Sequence, residues 1–261
     1  MKRTKLNQIP ECIPHAFRQF IGGAAIYDSS CSPEARVYFI DRDGGYYLKT
    51  CHRGTLRREA EMTAYFHSIG LGAEVLDYRS MDADWLLTAR VVGEDCTHGQ
   101  YLEDPKRLCD TIATQLRALH ELDFSGCPVA DRMESYLSLA EENYLSGNYD
   151  SSHFPDSFGY RSAEEAWAVL QAGKGEFRRE VLLHGDYCLP NIMLDDWRFS
   201  GFIDLGNGGV GDRHVDLFWG AWTLGFNLHT DAYRDRFLDA YGRELVDEDR
   251  LRVVAAAEVF G

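Results

Sequence analysis

Apolar residues in the first third of the chain occur in short runs bounded by turn-forming residues. Residues 36–50, RVYFIDRDGGYYLKT, contain two runs rich in β-branched and aromatic residues on either side of Asp43-Gly44-Gly45. This pattern predicts a β-hairpin. Residues 85–92, WLLTARVV, predict a further strand that ends at Gly93. We therefore expect residues 1–91 to form a β-rich N-terminal lobe.

Other apolar residues recur at the spacing of an α-helix, so that they share one face. The first such stripe consists of Met62, Tyr65, Phe66 and Ile69, and the second of Leu108, Ile112, Leu116 and Leu119. The second stripe opens a mainly helical region, interrupted by a polar, irregular stretch at residues 145–162. The pattern as a whole predicts an α+β protein with two lobes, in which residues 92–261 form a larger helical lobe.

Residues 184–207, HGDYCLPNIMLDDWRFSGFIDLGN, place three polar residues among apolar segments, namely Asp186, Asn191 and Asp204. Residues 192–194 and 199–203 predict a hairpin that returns Asp204 towards the preceding loop. Carboxylate and amide oxygens suit Mg²⁺, and a carboxylate left beside such a site could accept the proton of an attacking hydroxyl. In the alternative interpretation, the two aspartates are turn-forming residues and the asparagine is a capping residue. The apolar flanks weigh against it, because turn-forming residues rarely lie inside strands.

The spacing HGDYCLPN fits H-x-D-x-x-x-x-N, and IDLG follows where a second metal-binding aspartate is expected. On these motifs the chain resembles the aminoglycoside phosphotransferase family, and within it the aminoglycoside 3'-phosphotransferases, over nearly its whole length. The resemblance implies a two-lobed, protein-kinase-like fold and transfer of a phosphoryl group from ATP to an aminoglycoside hydroxyl, expected at the 3' position, with Mg²⁺. Asp186 is then the catalytic base, and Asn191 and Asp204 hold the metal. The sequence does not show whether ATP or GTP is the preferred phosphoryl donor.

The resemblance also implies the residues that bind the nucleotide. Lys49, at the end of a predicted strand, contacts the phosphates, and Glu59 on the following helix holds it, with Glu61 as a competing partner. The remaining expected contacts are Ser32 with a phosphate, Tyr47 stacked on the adenine, and the backbone of Ala89 and Val91 along its edge.

The residues expected to bind the acceptor follow the family pattern less closely than those expected to bind the nucleotide. The resemblance places Glu258 and Phe260 in the acceptor pocket, and the irregular stretch offers the carboxylates Asp150 and Asp156, which could equally be surface charges. Three positions depart from the family pattern, namely Asn207, Trp222 and Ala257. These departures leave open which aminoglycosides are accepted, the hydroxyl phosphorylated, and whether another amine is the substrate.

The composition restricts the kinds of molecule that the protein is expected to bind. The net charge is −15, from 27 Lys and Arg against 42 Asp and Glu, which opposes nucleic-acid binding and favours a cationic small-molecule acceptor. The seven cysteines are odd in number and never spaced as C-x-x-C, which argues against a disulfide framework and a zinc site. Without an apolar run of about 18 residues or a signal-peptide pattern, we expect a cytoplasmic protein that does not bind membranes. The sequence does not predict its oligomeric state.

Three other functions remain open at this stage. The first is a kinase of another small hydroxylated amine, such as choline or an amino sugar. The second is a nucleotide-binding protein without turnover, and the third is a metal-dependent hydrolase that uses His184, Asp186 and Asp204. Within the kinase interpretation, we expect His184 to order the loop, and Asp216 either to cap a helix or to brace the loop.

Overall fold

The computed structural model describes residues 3–31, 33, 35–151, 154 and 158–261 of the chain. Contacts within the protein divide it into two compact units. The first unit consists of Met1–Asp95 and Met193–Gly206, and the second of Cys96–Ile192 and Asn207–Gly261. The sequence predicted a single boundary after residue 91. The later segment groups with the first unit because its strand pairs with Glu94 and Asp95.

The first unit is built on an antiparallel sheet whose described strands follow the order β1-β2-β3-β4-β6-β5. They are β1 (Thr4–Lys5), β2 (Ala25–Asp28), β3 (Arg36–Asp41), β4 (Tyr46–His52), β5 (Val75–Ser80) and β6 (Ala83–Ala89). The hairpin predicted at residues 36–50 is formed by β3 and β4. The strand predicted at residues 85–92 is β6, which ends three residues earlier than expected. The predicted β-rich character of this region is therefore confirmed.

Side chains alternate between the two faces of this sheet, as they must along any strand. Leu48 on β4 is fully buried in a core cluster with Phe17 of helix α1 (His15–Ile21). Lys49 therefore points to the opposite face. Its cross-strand neighbour Leu86 packs on that face with Ala60 of helix α2 (Arg57–Ser68). This arrangement brings the start of α2 to the side of the sheet that carries Lys49.

Helix α2 buries most of its predicted apolar face. Met62 and Phe66 are fully buried, and Tyr65 is half-buried. Ile69, the last member of the predicted stripe, lies just beyond the helix and is 37% exposed. The helix ends before Ile69 because Gly70 follows with a φ of +77°, a left-handed conformation that terminates helices.

A smaller sheet in the order β10-β9-β7 completes the described strands of this unit. Its strands are β7 (Glu94–Asp95), β9 (Ile192–Asp195) and β10 (Arg198–Phe202). The turn between β9 and β10 consists of Asp196 and Trp197, whose φ angles are +47° and +68°. Two consecutive residues with positive φ are typical of the two-residue turns that suit the twist of a hairpin. The hairpin predicted in this region is confirmed.

The second unit is mainly helical, as predicted. Its described helices are α3 (Gly99–Leu102), α4 (Pro105–His120), α5 (Arg132–Ser146), α6 (Ala163–Gly173), α7 (His214–Leu228), α8 (Arg234–Gly242) and α9 (Glu248–Glu258). A short antiparallel pair, β8 (Val181–Leu183) and β11 (Gly209–Gly211), accompanies them. Within the described ranges, no helix is long and apolar enough to cross a membrane.

Helix α4 shows why the apolar stripe at residues 108–119 forms a helix. All four residues of the stripe are completely buried, and each such side chain contributes about 2 kcal/mol through its removal from water. Asp104 accepts a hydrogen bond from the backbone N–H of Arg107 at the start of the helix, and Pro105 occupies the first turn. Both features favour helix initiation.

Candidate active site

The loop after β8 is anchored by a buried carboxylate. The backbone N–H groups of His184 and Gly185 donate to Oδ2 and Oδ1 of Asp216, over 2.8 and 2.7 Å. Asp216 lies in the first turn of α7, is fully buried, and also contacts Nε2 of His120 at 3.1 Å. A buried carboxylate with both oxygens bonded holds its partners firmly. Of the two roles considered for Asp216, the structure favours the brace.

Gly185 is required sterically between His184 and Asp186. Its φ is +82°, and a side chain at this position would overlap the carbonyl oxygen of Asn207. Only glycine meets both conditions. Asn207 is held in turn by Arg132, whose Nε donates to its carbonyl oxygen at 2.9 Å and whose Nη2 donates to Oδ1 at 3.1 Å. The glycine of the order His-Gly-Asp thus has a steric reason.

Asp186 and Asn191 are joined directly. Asn191 ends a short 3₁₀ turn, Leu189–Asn191, which brings its side chain back towards the start of the loop. Its amide nitrogen donates to the backbone carbonyl of Asp186 at 3.0 Å and to Oδ2 of Asp186 at 2.8 Å. These bonds orient the carboxylate and leave the amide oxygen of Asn191 outside them. A partly exposed carboxylate and a neutral oxygen are therefore presented by one short loop.

The other polar residues of the loop have structural roles. Nδ1 of the fully buried His184 accepts a hydrogen bond from the backbone N–H of Asp186 at 3.3 Å, in agreement with an ordering role. Burial raises the pKa of the Cys188 thiol far above its usual range, and the charge of Asp186 adds to this effect. A thiol in this state is not a nucleophile at neutral pH.

In the first unit, Lys49 binds two carboxylates. Its Nζ lies 3.0 and 2.8 Å from the two oxygens of Glu59 and 2.7 Å from Oδ1 of Asp204. Burial by itself lowers the pKa of Lys49, but the charges of Asp204 and Glu59 outweigh burial, so the pKa is raised and the ammonium form is favoured. Glu61, the competing candidate, pairs instead with Arg57 on the helix surface at 2.9 Å. The expected partner, Glu59, is the one that Lys49 contacts.

Asp204 follows β10 in an unusual backbone conformation. Its φ is +59°, in the left-handed region, and its side chain is 50% exposed. Beyond its contact with Lys49, the carboxylate has a second oxygen that faces no hydrogen-bond donor among the described residues. Half-exposed oxygen ligands of this kind suit Mg²⁺, which keeps several waters and takes few ligands from the protein. Within the described ranges, no group of three or more His, Cys, Asp or Glu is arranged so that it could hold a metal ion.

The residues expected around a nucleotide base lie on or beside the same sheet, where they are described. Tyr47 lies two residues before Lys49 on β4, hence on the same face, and its hydroxyl accepts a hydrogen bond from Arg3 at 2.7 Å. The backbone N–H of Ala89 donates to Glu74 at 2.9 Å, so only its carbonyl group could contact a base. Val91 follows β6, and Ser32 lies outside the described residues.

The acceptor residues fall into two groups. Glu258 is nearly buried at the end of α9, and its Oε1 accepts hydrogen bonds from Tyr136 at 2.8 Å and from Trp219 at 3.1 Å. Burial raises the pKa of Glu258 to about 7, against the opposing effect of these two donors, and the nearby charge of Asp186 raises it further.

The other acceptor candidates are less well placed. Phe260 is completely buried in the hydrophobic core of the second unit, where it packs against Tyr144 and Trp167. In this structure Phe260 supports the end of α9, and its expected place in the acceptor pocket stays a prediction. Asp150 is exposed beyond α5, and Asp156 lies outside the described residues.

Two contacts near these residues were not anticipated from the sequence. Arg58, next to Glu59, donates from Nε to the carbonyl oxygen of Gly206 at 2.6 Å. Arg132 binds Asn207, as described above. Neither arginine belongs to a recognisable motif, and their partners lie far away in the sequence, so no local signal distinguished them from surface charges.

Known proteins are similar to this chain in sequence and in fold. A family model described as a phosphotransferase enzyme family matches residues 32–254. A probable aminoglycoside 3'-phosphotransferase of Lactococcus lactis subsp. lactis is 53% identical over 262 residues, covering 100% of this chain and 99% of that protein. An aminoglycoside 3'-phosphotransferase of Streptomyces fradiae is 28% identical over 250 residues, covering 91% of each.

Solved structures show the same likeness. The crystal structure of an aminoglycoside 3'-phosphotransferase of type VIII matches with a TM-score of 0.77 and 25% identity, over 94% of this chain and 98% of that one. An aminoglycoside phosphotransferase of Streptomyces rimosus, solved with ADP and streptomycin, matches with a TM-score of 0.71 and 25% identity, over 90% of each chain. The predicted kinase-like α+β fold is therefore confirmed. Because the family model spans most of the sequence and a full-length relative is more than half identical, the chain belongs to the phosphotransferase enzyme family.

Proposed function

We propose that this protein transfers the terminal phosphoryl group of ATP to a hydroxyl group of an aminoglycoside, at the 3' position. The observation that carries the proposal is the pair formed by Asp186 and Asn191. It presents an oriented carboxylate next to a free amide oxygen, as a phosphotransferase that deprotonates an alcohol requires. Two relatives of the chain, one of them described as probable, are named as aminoglycoside 3'-phosphotransferases. A cytoplasmic location, where ATP is available, is part of the proposal.

In the proposed reaction, the acceptor oxygen forms a bond to the terminal phosphorus while the bond from that phosphorus to the bridging oxygen of ATP breaks. Asp186 accepts the proton that the hydroxyl loses, and ADP leaves. Lys49, held by Glu59, binds phosphate oxygens with its ammonium group. Asn191 and Asp204 supply the oxygen ligands for Mg²⁺, which when bound neutralises charge on the phosphates.

The same proposal assigns the remaining residues. Tyr47 lies against the adenine, with the backbone of Ala89 and Val91 along its edge and Ser32 near a phosphate. A solved relative holds ADP and streptomycin, which supports a nucleotide and an aminoglycoside as the two ligands of this chain. Glu258 is the best-supported acceptor ligand, because a buried carboxylate favours a cationic amine.

A second candidate is a kinase of a small quaternary or primary amine such as choline or an amino sugar. A cavity of about 690 Å³ in the second unit is lined by Phe218, Trp222 and Phe226, among other residues. Trp222, which departs from the family pattern, stacks on Phe226 with ring centroids 5.0 Å apart. Aromatic side chains around a cavity favour the binding of organic cations. The aromatic lining of this cavity therefore supports a kinase of a small amine as the second candidate.

The test is product identification. Purified protein is incubated with ATP, MgCl₂ and either kanamycin, choline or glucosamine, and ADP release is followed with a coupled assay. We expect release with kanamycin, a mass gain of one phosphoryl group, and a phosphorus–proton correlation to the proton on carbon 3'. Release with choline or glucosamine alone would favour the second candidate. Product formation without any nucleotide would contradict both and support a hydrolase.

A further inference from the structure

Two adjacent arginines at the start of α2 have different environments. Arg57 is exposed, with 76% of its side chain accessible, and pairs with Glu61 four residues later. Arg58 is half-buried, and its Nε donates to the carbonyl oxygen of Gly206 at 2.6 Å. Gly206 lies two residues after Asp204. Of the two neighbours, only Arg58 reaches the segment that carries a proposed metal ligand.

The charge of Arg58 is not neutralised locally. Among the described residues, no carboxylate forms an ion pair with it, and burial lowers its pKa without an opposing acid. An arginine nevertheless remains protonated in proteins. Lys49, by contrast, shares its single charge with Glu59 and Asp204. Arg58 therefore keeps its full charge for the bond to the carbonyl oxygen of Gly206.

The segment that Arg58 holds requires external support. The positive φ of Asp204, +59°, is a left-handed conformation that is unfavourable for a residue other than glycine. A side chain added at Gly206 would lie 3.5 Å from both Cβ and Oε2 of Glu59. The turn from Asp204 to Gly206 therefore lies directly against α2, and the bond from Arg58 closes this contact.

We propose that Arg58 is a positioning residue that fixes the Asp204–Gly206 turn on α2 through its bond to the carbonyl oxygen of Gly206. Asp204 is thereby presented to the metal. This inference rests on the proposed function, because it assumes that Lys49 and Asp204 serve a magnesium nucleotide. Arg58 itself is not assigned a contact with the substrate.

The test compares Arg58→Ala, Arg58→Gln and Arg58→Lys with Arg57→Ala as the matched control. Binding of Mg²⁺ and AMP-PNP is measured by calorimetry over a range of MgCl₂ concentrations, alongside KM and kcat. For Arg58→Ala we expect nucleotide binding and half-saturation by Mg²⁺ to weaken about ten-fold, the size of one charge-assisted hydrogen bond. kcat should change less than KM. Arg58→Lys should be intermediate because it keeps the charge but not the planar donors.

The control should bind the nucleotide within about two-fold of wild type, since exposed ion pairs contribute little. Thermal unfolding of each variant identifies any that fail to fold, and the glutamine and lysine variants then carry the test. Equal nucleotide and Mg²⁺ affinities in Arg58→Ala and Arg57→Ala would overturn the inference while leaving the proposed function intact. A wild-type protein that does not bind Mg²⁺ and AMP-PNP would overturn the proposed function as well.

Discussion

The side-chain amide of Asn191 donates one hydrogen bond to the backbone carbonyl of Asp186 and a second to its carboxylate, over 3.0 and 2.8 Å. This double contact gives Asn191 two functions in the proposed mechanism. It orients the base through its nitrogen, and it offers its oxygen to the metal. The loop therefore couples the orientation of Asp186 to the position of the metal.

Replacing Asn191 should affect both functions at once. We expect Asn191→Ala to lower kcat by about 10²-fold, within the usual range for loss of an oriented general base, and to raise the Mg²⁺ concentration required for half-maximal rate. Initial rates measured over a series of MgCl₂ concentrations test this expectation. A lower kcat with unchanged Mg²⁺ dependence would show that Asn191 orients Asp186 but does not bind the metal.

The contact between Lys49 and Glu59 leads to a separate prediction about the KM for ATP. Glu59→Gln removes the charge that holds the ammonium group, so the KM for ATP should rise about ten-fold, as expected for one charge-assisted contact. Glu61→Gln, on the same helix, removes only a surface pair with Arg57 and should change KM less than two-fold or so. Steady-state kinetics with ATP as the varied substrate distinguishes the two. Equal effects of the two variants would reject Glu59 as the functional partner.

Glu258 should make stability depend on pH. Its pKa is about 7 in the folded protein against a reference value of 4.5, so between these values the folded state binds a proton that the unfolded state has released. Stability should therefore fall as the pH rises from about 4.5 to about 7, by on the order of 3 kcal/mol from this group. Urea unfolding of wild type and Glu258→Gln at several pH values isolates the effect, since the variant lacks it. A difference between the two proteins that stays constant from pH 5 to pH 8 would contradict the raised pKa.

Cys188 lies inside the catalytic loop but should be chemically inert. Burial raises the pKa of its thiol, whereas Cys12 and Cys31 are exposed. We expect iodoacetamide to modify the exposed pair first, and Cys188→Ala to keep most of the wild-type activity. Mass spectrometry of the labelled peptides, with activity followed in parallel, provides the measurement. Rapid labelling of Cys188 together with loss of activity would favour a catalytic thiol.

The sequence predicted those parts of the site that depend on short separations. Asp186 and Asn191 are five residues apart, and a single turn joins them, so their spacing already implied their contact. Lys49 and Glu59 are ten residues apart, and their pairing was expected from the family resemblance. The apolar face of α2 favoured Glu59 over Glu61 as the partner, so helical periodicity helped to choose between these two residues.

Contacts between distant parts of the chain could not be predicted in this way. The bond from Arg132 to Asn207 spans 75 residues, and the bond from Arg58 to Gly206 spans 148. Each depends on how helices and turns pack, which no local pattern of these polar residues encodes. The strand β11 was missed for a related reason, because it has only three residues and two of them are glycine.

The acceptor side shows the limit of a resemblance between sequences. Phe260 and Glu258 both match the family pattern near the C-terminus, and both are buried. Glu258 is bonded to Tyr136 and Trp219, whereas Phe260 packs among aromatic rings. Alignment gives the position of a residue along the chain, but packing of the neighbouring helices decides what its side chain contacts.

The central claim is that Asp186 removes the proton from the acceptor hydroxyl, and Asp186→Asn tests it most directly. The variant keeps an oxygen that can accept the bond from Asn191 but lacks the basic carboxylate. With ATP and kanamycin as substrates, we expect kcat to fall by about 10²- to 10⁴-fold, while calorimetry shows unchanged affinity for ATP. Turnover of kanamycin at the wild-type rate in this variant would contradict the account.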